Sequence, residues 1–572
     1  MQNTAVAIPD HKSIHEALAG TWNRERGLRI LGLMVACLIL LVTLILPLYA
    51  LLSRSVMSEE GLFIGVDNFI QYFSTPSLLR SFGHSLYVAV CSTVIVITLA
   101  FGFAWVLTRT RLPGRNLLKT IAMLPVLAPS LLPAISLVYL FGNQGVLHSW
   151  LMGGSIYGPT GIIIGSVFWT FPHALMILTT ALKTGDARLY ESARALGAGR
   201  LRTFFTVTLP SVKYGLFSAS FVVFTLVITD FGVAKVIGGQ YSVLATDIYK
   251  QVIGQQNFSM GAVVGVLMLL PVLLAFAGDR YVQRRQHAQL TSRSVPLEPQ
   301  SGTLTNLLAV TFSLPVVVMI LGMIGMSVYA SLVTFWPYNM ELSLNNYQFD
   351  LMDGGGWEAY RNSLQMAGLT ALFGTVLVFV NAYLVEKSRG LTVLRTINQV
   401  MAMIPLAVPG MVLGLGYIFF FNHPDNPLNG LYGTMTILII CSIVHFFTVC
   451  HLTATTALKQ IDPEFELVSA SLKVPFYRTF LRVTLPVCLP AVLDISMYLF
   501  VNAMTTVSAV VFLYGPDTML ASVAVMNMDD AGDIAPAAAM AVMIMLTSLA
   551  VKVLHWLFSR KLLLQTQSWR TH

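Results

Sequence analysis

Charged side chains are scarce in this chain of 572 residues. Only 10% of the residues are Asp, Glu, Lys or Arg, whereas 56% are hydrophobic, and the mean hydropathy is +0.73. A water-soluble fold of this size needs more polar surface than so few charges supply, so the composition excludes an ordinary soluble protein. The chain is predicted to lie in a lipid bilayer.

Cysteine is also rare. Five are present, all in or beside apolar stretches: Cys37, Cys91, Cys441, Cys450 and Cys488. Their spacing fits neither a disulfide framework nor a metal site, and no nucleophile with a base or pair of carboxylates occurs at membrane depth. The sequence therefore predicts no metal site, no bound cofactor and no enzymatic activity for this chain.

Long apolar runs are abundant. Each has about 20 residues or more, enough to cross about 30 Å of hydrocarbon as a helix, which satisfies its own backbone polar groups in lipid. We therefore predict an all-α polytopic membrane protein. Its twelve predicted transmembrane helices cover residues 28–52, 85–107, 118–141, 158–182, 214–237, 258–278, 307–333, 363–385, 397–421, 431–458, 487–513 and 534–558.

The basic residues indicate an orientation. With the amino terminus inside and twelve crossings, only five of the 34 Lys and Arg fall on or near the outer side: Arg54, Arg80, Lys235, Lys250 and Arg361. Such an excess of basic residues inside predicts that both termini face the cytoplasm. The net charge of +8 therefore follows the membrane topology and does not indicate a nucleic-acid partner.

The two halves of the chain resemble each other. AMLPVLAP at 122–129 recurs as AMIPLAVP at 402–409, and RTFFTVTLP at 202–210 recurs as RTFLRVTLP at 478–486. An even number of crossings per half predicts two parallel six-helix repeats with a translocation path between them. The predicted units are a cytoplasmic tail (1–27), a first repeat (28–278), a cytoplasmic linker (279–306), a second repeat (307–558) and a cytoplasmic tail (559–572).

The segment YESARALGAGRLRTFFTVTLP (190–210) lies between the fourth and fifth predicted helices. Its pattern predicts a short helix over 191–196, a left-handed stop at Gly197 and a second helix over 201–209 that ends where the chain re-enters the membrane. Such a knob can dock in a partner's groove. The alternative is an amphipathic hairpin without a partner.

This segment resembles the EAA loop of binding-protein-dependent ABC importer permeases, whose pattern is roughly EAAxxxGAxxxxxFxxVxLP. The resemblance implies a type I ABC importer-like fold in the bacterial inner membrane. It also implies two copies of an ABC ATPase that hold ATP and Mg, and an extracytoplasmic solute-binding protein. The residues that it implies for coupling to the ATPase are Glu191, Ala193, Gly197 and Ala198.

The second copy of the loop, FELVSASLKVPFYRTFLRVTLP (465–486), departs from this pattern. Lys473 stands where the turn glycine is expected, and Glu466 falls one residue early, a rotation of about 100° on a helix. Ala470 completes the coupling residues assigned to this copy. The sequence therefore leaves two alternatives, that the second loop docks an ATPase as the first does or that it does not.

Asp230 is the clearest candidate for contact with a solute, because an ionisable group in a membrane helix is costly and suggests function. The repeat places Thr505 and Thr506 opposite Thr229 and Asp230, so these four residues are predicted to line one constriction. The alternatives are that Asp230 pairs with Lys235 or reaches interfacial water, and that the threonines only pack.

Fusion of two six-helix units is similar to the ferric iron, thiamine and 2-aminoethylphosphonate permeases, and TDFGVAKVIGGQ (229–240) looks most like the aminoethylphosphonate branch. The expected solute is therefore 2-aminoethylphosphonate. Ferric iron, thiamine or a polyamine are the alternatives within the family. An ion-coupled secondary transporter is the alternative from a different class, and it would need no ATPase-docking loops.

Overall fold

The computed structural model describes residues 11–287, 295, 297–299, 302–388, 390–462 and 464–566; side chains at 11–24, 284–287 and 561–566 are outside this description. The described part of the first half contains thirteen α-helices: α1 (His11–Leu40), α2 (Leu46–Ser55), α3 (Asp67–Ser74), α4 (Pro76–Arg109), α5 (Arg115–Ala122), α6 (Leu131–Phe141), α7 (Pro159–Lys183), α8 (Ala187–Ala195), α9 (Arg200–Thr203), α10 (Leu209–Ile228), α11 (Gly232–Ile237), α12 (Leu244–Tyr249) and α13 (Phe258–His287).

The second half continues the helical pattern and adds a short antiparallel hairpin of β1 (Val333–Phe335) and β2 (Asn339–Leu342). Its helices are α14 (Thr303–Leu332), α15 (Gly356–Lys387), α16 (Thr392–Met403), α17 (Gly410–Phe421), α18 (Met435–His445), α19 (Phe447–Lys459), α20 (Glu464–Ser471), α21 (Phe476–Thr479), α22 (Leu485–Val487), α23 (Leu489–Thr505), α24 (Ala521–Ala531) and α25 (Ile534–Thr566).

The described residues contain twelve candidate membrane spans. Eight are continuous helices, and four are pairs of helices bent by 103°, 114°, 54° and 76° at a short break. The predicted all-α polytopic fold is confirmed. The predicted tails and linker fall partly outside the described residues, at 1–10, 288–294, 296, 300–301 and 567–572. Helix occupies residues 11–27, 279–287, 303–306 and 559–566 of them.

The third span of each half is broken where prolines cluster. In the first half, a 3₁₀ turn at Leu124–Leu127 separates α5 from α6, and a turn at Ile404–Ala407 separates α16 from α17 in the second. Pro125 and Pro129, with Pro405 and Pro409, lack the N–H groups that a continuous helix needs, and each disfavours helix in the preceding residue. The prolines therefore account for the bend in each third span.

The fifth span ends earlier than predicted. Helical structure that starts at Arg200 continues through a π turn at Phe204–Thr208 and stops at Ile228, so the predicted span to residue 237 is wrong, as is a separate helix ending near residue 209. The chain breaks at Thr229 and Asp230 and then forms the short α11. Gly232 lies against Ser130, where a Cβ would be only 2.3 Å from the hydroxyl oxygen, so this close approach requires glycine.

The first span of each half packs on the other half. Helix α2 contacts α17, and the Tyr417 hydroxyl donates to the carbonyl of Thr43 at 2.6 Å. In the corresponding place α14 contacts α6, and the Ser136 hydroxyl donates to the carbonyl of Met323 at 2.7 Å. The two halves are therefore interlocked, and neither forms a separate six-helix bundle.

Two sets of hydrogen bonds also match between the halves. The Asn68 amide donates to the carbonyls of Ser55 and Met57, just as Asn346 donates to those of Ser331 and Val333. The repeated Ser85 and Ser363 hydroxyls accept, each at 2.7 Å, from the first backbone N–H groups of α12 and α24. The two serine bonds hold a short helix, α12 or α24, at the same place in each half.

Candidate functional site

The first loop is a helix, a tight turn and a second helix. The Asp186 carboxylate accepts from the backbone N–H of Arg188 at 3.1 Å and caps α8. After α8, Gly197 takes a left-handed conformation with φ of 71°, and the backbone N–H of Ala198 donates to Ala193 at 2.9 Å. This is a Schellman-type stop, and the left-handed turn predicted at Gly197 is confirmed.

The second loop makes the same turn without the glycine. The backbone N–H of Val474 donates to Ser469 at 3.0 Å, that of Lys473 donates to Ala470 at 3.1 Å, and Lys473 has a φ of 55°. The backbone of the second copy is therefore not degenerate, although its sequence is. Lys473 holds a conformation that disfavours a side chain with a Cβ.

We expect Lys473→Gly to raise the free energy of unfolding by up to about 1 kcal/mol, because glycine takes the left-handed conformation without strain but costs more chain entropy. The thermal midpoint of the purified protein measures the effect. The matched control is Lys473→Ala, which removes the same charge and keeps the strain. An equal gain with alanine would show that the backbone conformation is not the cause.

The first loop presents a mixed surface away from the bundle. Leu196 and Leu201 have exposed fractions of 84% and 77%, and Glu191 is exposed beside them. The Glu191 carboxylate makes no ion pair with any residue that the structure describes. Exposed leucines around an unpaired carboxylate are typical of a protein-binding surface.

The other predicted coupling residues are placed differently. Ala193 is buried and Ala198 is half-buried, so both pack within the loop, whereas Ala470 and Lys473 are exposed. In the second loop the apolar surface is formed by Leu472 and Leu481, with exposed fractions of 69% and 57%. Each half therefore has an apolar loop surface at the same end of the bundle, which we call the loop end.

Glu466 points into the protein and not toward a partner. Its carboxylate pairs with Lys387 at 3.1 Å, and both side chains are largely covered. In the first half the same place is taken by Tyr190, whose hydroxyl lies 3.4 Å from a guanidinium nitrogen of Arg109. Glu466 is therefore the counterpart of Tyr190 and joins the loop to its own repeat. Consecutive residues on a helix are rotated by about 100°, so a carboxylate one position before the counterpart of Glu191 faces the protein and not the partner.

At the opposite end of the bundle, which we call the far end, Asp230 caps α11. Its carboxylate accepts from the backbone N–H of Val233 at 3.1 Å and also bonds the Gly232 backbone and the Ser130 side chain. The half-buried carboxylate is thus held at a helix start, where a negative charge is favoured. Among the described residues Asp230 forms no ion pair with Lys235.

The predicted threonines bond mainly within their own segments. The Thr229 hydroxyl donates to the carbonyl of Thr225 at 2.8 Å, and the Thr505 hydroxyl donates to that of Val501 at 3.0 Å. Thr506 is buried, and its carbonyl accepts from Ser522 at 2.6 Å. The structure places these residues at corresponding helix ends in the two halves, with their hydroxyls or carbonyls already bonded.

An ion pair that was not anticipated joins the halves at the far end. Lys235 on α11 lies 2.9 Å from a carboxylate oxygen of Asp530 on α24, and its ammonium lies 5.1 Å from the centre of the Tyr249 ring. Tyr249 in turn stacks on Phe512 of the second half at 6.4 Å. We call Lys235, Tyr249, Phe512 and Asp530 the far-end contact.

A second carboxylate lies next to this contact. Burial, together with the charge of Asp530, raises the pKa of Asp529 to about 7, and Lys235 opposes the shift. Near neutral pH Asp529 is therefore only partly ionised, and Asp530 supplies the carboxylate opposite Lys235. A lysine in an apolar stretch of one repeat and acids at the matching end of the other were the sequence signals for this pair.

Twelve spans in two interlocked repeats, with a matching loop at one end and a contact between the halves at the other, define a two-repeat membrane permease. The chain belongs to the family of the binding-protein-dependent transport system inner membrane component, whose model matches residues 96–288 and 374–564. Each match covers most of one predicted repeat, so the internal repeat is confirmed. The chain is thus a multi-pass permease of a bacterial ABC importer in the inner membrane, and ATP is hydrolysed by a separate subunit.

Two relatives match both repeats. The ferric transport system permease protein of Actinobacillus pleuropneumoniae is 28% identical over 86% of this chain and 73% of its own length. A putative ferric transport system permease of Haemophilus influenzae is 28% identical over 84% of this chain and 78% of its own. A bacterial ABC transporter for alginate import has a TM-score of 0.39 at 16% identity over 47% of this chain and 99% of that one.

Proposed function

We propose that this chain forms the membrane path of an ABC importer for ferric iron. The observation that carries the proposal is the match of both repeats to permeases named for ferric transport. Ferric iron was the alternative at the sequence level. The expected solute, 2-aminoethylphosphonate, rested on residues 229–240, and none of the relatives reported above is named for a phosphonate.

The charges at the far end support a cation. Residues 506–533 contain Asp517, Asp529, Asp530 and Asp533 without a lysine or arginine, and residues 333–355 contain three further acids without a basic residue. Five basic residues also lie on or near this side, but the acids outnumber them, and a surface with a net negative charge raises the local concentration of cations. Carboxylate oxygens are also the ligands that hard cations prefer.

The loop end supports docking of two ATPase copies. Both loops have the same backbone turn and an exposed apolar surface, so the second loop can bind an ATPase as the first does, with Leu472 at the position of Leu196 and the exposed Leu467 at that of Glu191. The proposal places this end and both termini in the cytoplasm, where most of the Lys and Arg then lie. The far end faces an extracytoplasmic solute-binding protein.

The experiment is uptake by proteoliposomes that contain this chain, its ATPase and its solute-binding protein. We expect ATP-dependent uptake of radioactive ferric iron, and none when ATP is replaced by a proton or sodium gradient. Uptake of 2-aminoethylphosphonate or thiamine instead of iron would overturn the proposed solute. Uptake driven by an ion gradient alone would overturn the coupling, in favour of the secondary transporter.

A further inference from the structure

Two adjoining cavities open at the loop end of the first half. The larger, of about 470 Å³, is lined by Arg111, Leu112, Gly114, Arg115, Asn116 and Pro299. The smaller, of about 290 Å³, shares Arg115, Asn116 and Pro299 with it and reaches Lys119, Thr179 and Lys183. The ends of α4 and α7, the start of α5 and the linker between the halves therefore border one continuous pocket that is open to its surroundings.

The pocket is strongly basic. Arg111 is neutralised by Glu298 of the linker, at 3.3 Å. Arg115, Lys119 and Lys183 form no ion pair with any residue that the structure describes, so three positive charges surround the smaller cavity without a counter-charge. The buried Thr179 hydroxyl also lacks a hydrogen-bond partner among these residues. This set of donors suits a phosphate group.

The corresponding positions of the second half carry fewer unpaired basic residues. With the alignment of 122–129 on 402–409, Arg115 corresponds to Arg395 and Lys119 to Gln399. Arg395 donates to the backbone carbonyl of Val385 and so is already occupied. The second half has the same helix topology, but it has Gln399 in place of a lysine, and its Arg395 is bonded to the backbone. The topology alone therefore does not explain the unpaired cations of the first half.

The linker connects the pocket to the first loop. Val295 accepts from the backbone N–H of Ala187 at 2.9 Å, and its own N–H lies 3.4 Å from the Asp186 carboxylate. Both bonds are at the start of α8. Leu297 and Pro299, a few residues further on, cover the pocket. A ligand beneath the linker would therefore hold this segment against the loop that carries Glu191.

We propose that the pocket binds the phosphate of an anionic phospholipid and thereby holds the linker on the first coupling loop. A lipid is favoured over a free anion because the pocket lies where two membrane spans end and has apolar walls, Leu107, Leu112 and Leu297, beside its cations. Basic pockets between transmembrane helices at this depth bind lipid head groups. This binding goes beyond the proposed function and does not depend on the solute.

The test uses the full chain in nanodiscs of phosphatidylcholine with a limiting amount of phosphatidylglycerol. Native mass spectrometry measures how much phosphatidylglycerol the protein retains. We expect Arg115→Gln/Lys119→Gln/Lys183→Gln to retain at least about tenfold less, because each cation contributes to anionic lipid binding. The matched control is Lys459→Gln, which removes the counterpart of Lys183 in the second half and leaves retention unchanged.

Two further measurements keep the proposal open to refutation. The triple variant must have the normal thermal midpoint in pure phosphatidylcholine nanodiscs; if it does not, the single variant Lys119→Gln replaces it, with a smaller expected loss. Inorganic phosphate is then titrated against the normal protein in phosphatidylcholine. Equal retention by variant and normal protein would overturn the proposal, and so would saturable stabilisation by phosphate that phosphatidylglycerol does not reproduce.

Discussion

Glu191→Ala is expected to reduce ATP-dependent uptake at least about 30-fold while the protein stays in the membrane. The reason is that Glu191 is exposed on the first loop and forms no ion pair with a described residue, so we expect its loss to act mainly on binding of the partner. Removing one partner of a charged interface pair costs about 2–5 kcal/mol, and about 1.4 kcal/mol is a tenfold change in affinity. Binding of the purified ATPase subunit to the permease measures the loss directly.

The control for this prediction is Glu60→Ala, which removes an exposed glutamate at the far end. We expect normal uptake and normal ATPase binding from that variant. Glu191→Gln separates charge from size, and we expect it to fall between alanine and the normal protein. Normal uptake together with normal ATPase binding in Glu191→Ala would show that this residue is not part of the coupling surface.

Asp530→Asn is expected to open the far end about fivefold more often. The Lys235–Asp530 pair joins the halves at 2.9 Å, and its side chains have exposed fractions of only 22% and 46%. An exposed pair contributes about 0–1 kcal/mol, and because the Lys235 side chain is largely covered we assign this pair the upper end of that range, about 1 kcal/mol. The labelling rate of Thr505→Cys in a cysteine-free chain, with an impermeant thiol reagent added outside, measures this opening.

The charge-swapped variant Lys235→Asp/Asp530→Lys is the decisive control. We expect it to bring labelling of Thr505→Cys back toward the rate of the normal protein, because the attraction between the halves is restored. Asp533→Asn, which removes a neighbouring acid that forms no ion pair among the described residues, should leave labelling unchanged. The far-end contact does not hold the halves together if Thr505→Cys is labelled at the normal rate in Asp530→Asn, or if the charge swap fails to restore the normal labelling rate.

Much of the fold was predictable because the signals are local. The breaks at Pro129 and Pro409 follow from the missing N–H groups of proline, and the turn at Gly197 from the freedom of glycine at positive φ. The fifth span illustrates the limit of such signals. The mostly apolar stretch continues to residue 237, but the helix ends at Ile228. The capping of α11 by Asp230 and the close approach of Gly232 to Ser130 depend on tertiary packing, so the sequence did not reveal this end.

The candidate site was predictable only in part. The first loop was found from its pattern, whereas the second seemed degenerate, because a lysine at the position of the turn glycine says nothing about the backbone it adopts. Glu466 was assigned to the partner surface, yet Lys387, far away in the chain, draws its carboxylate inward. Asp230 stood out as a lone acid in an apolar stretch, and its role as a helix cap needed the coordinates of α11.

By itself the sequence determined the number of spans, the two repeats and the helix–turn–helix of the first loop. These features follow from hydrocarbon thickness, backbone hydrogen bonding and short turns, all of which act over a few residues to a few tens of residues. Only the tertiary structure decided which charges meet, at Lys235 and Asp530, at Lys387 and Glu466, and at Arg111 and Glu298. Those pairs depend on how the interlocked halves pack, because each joins segments that are distant in the chain.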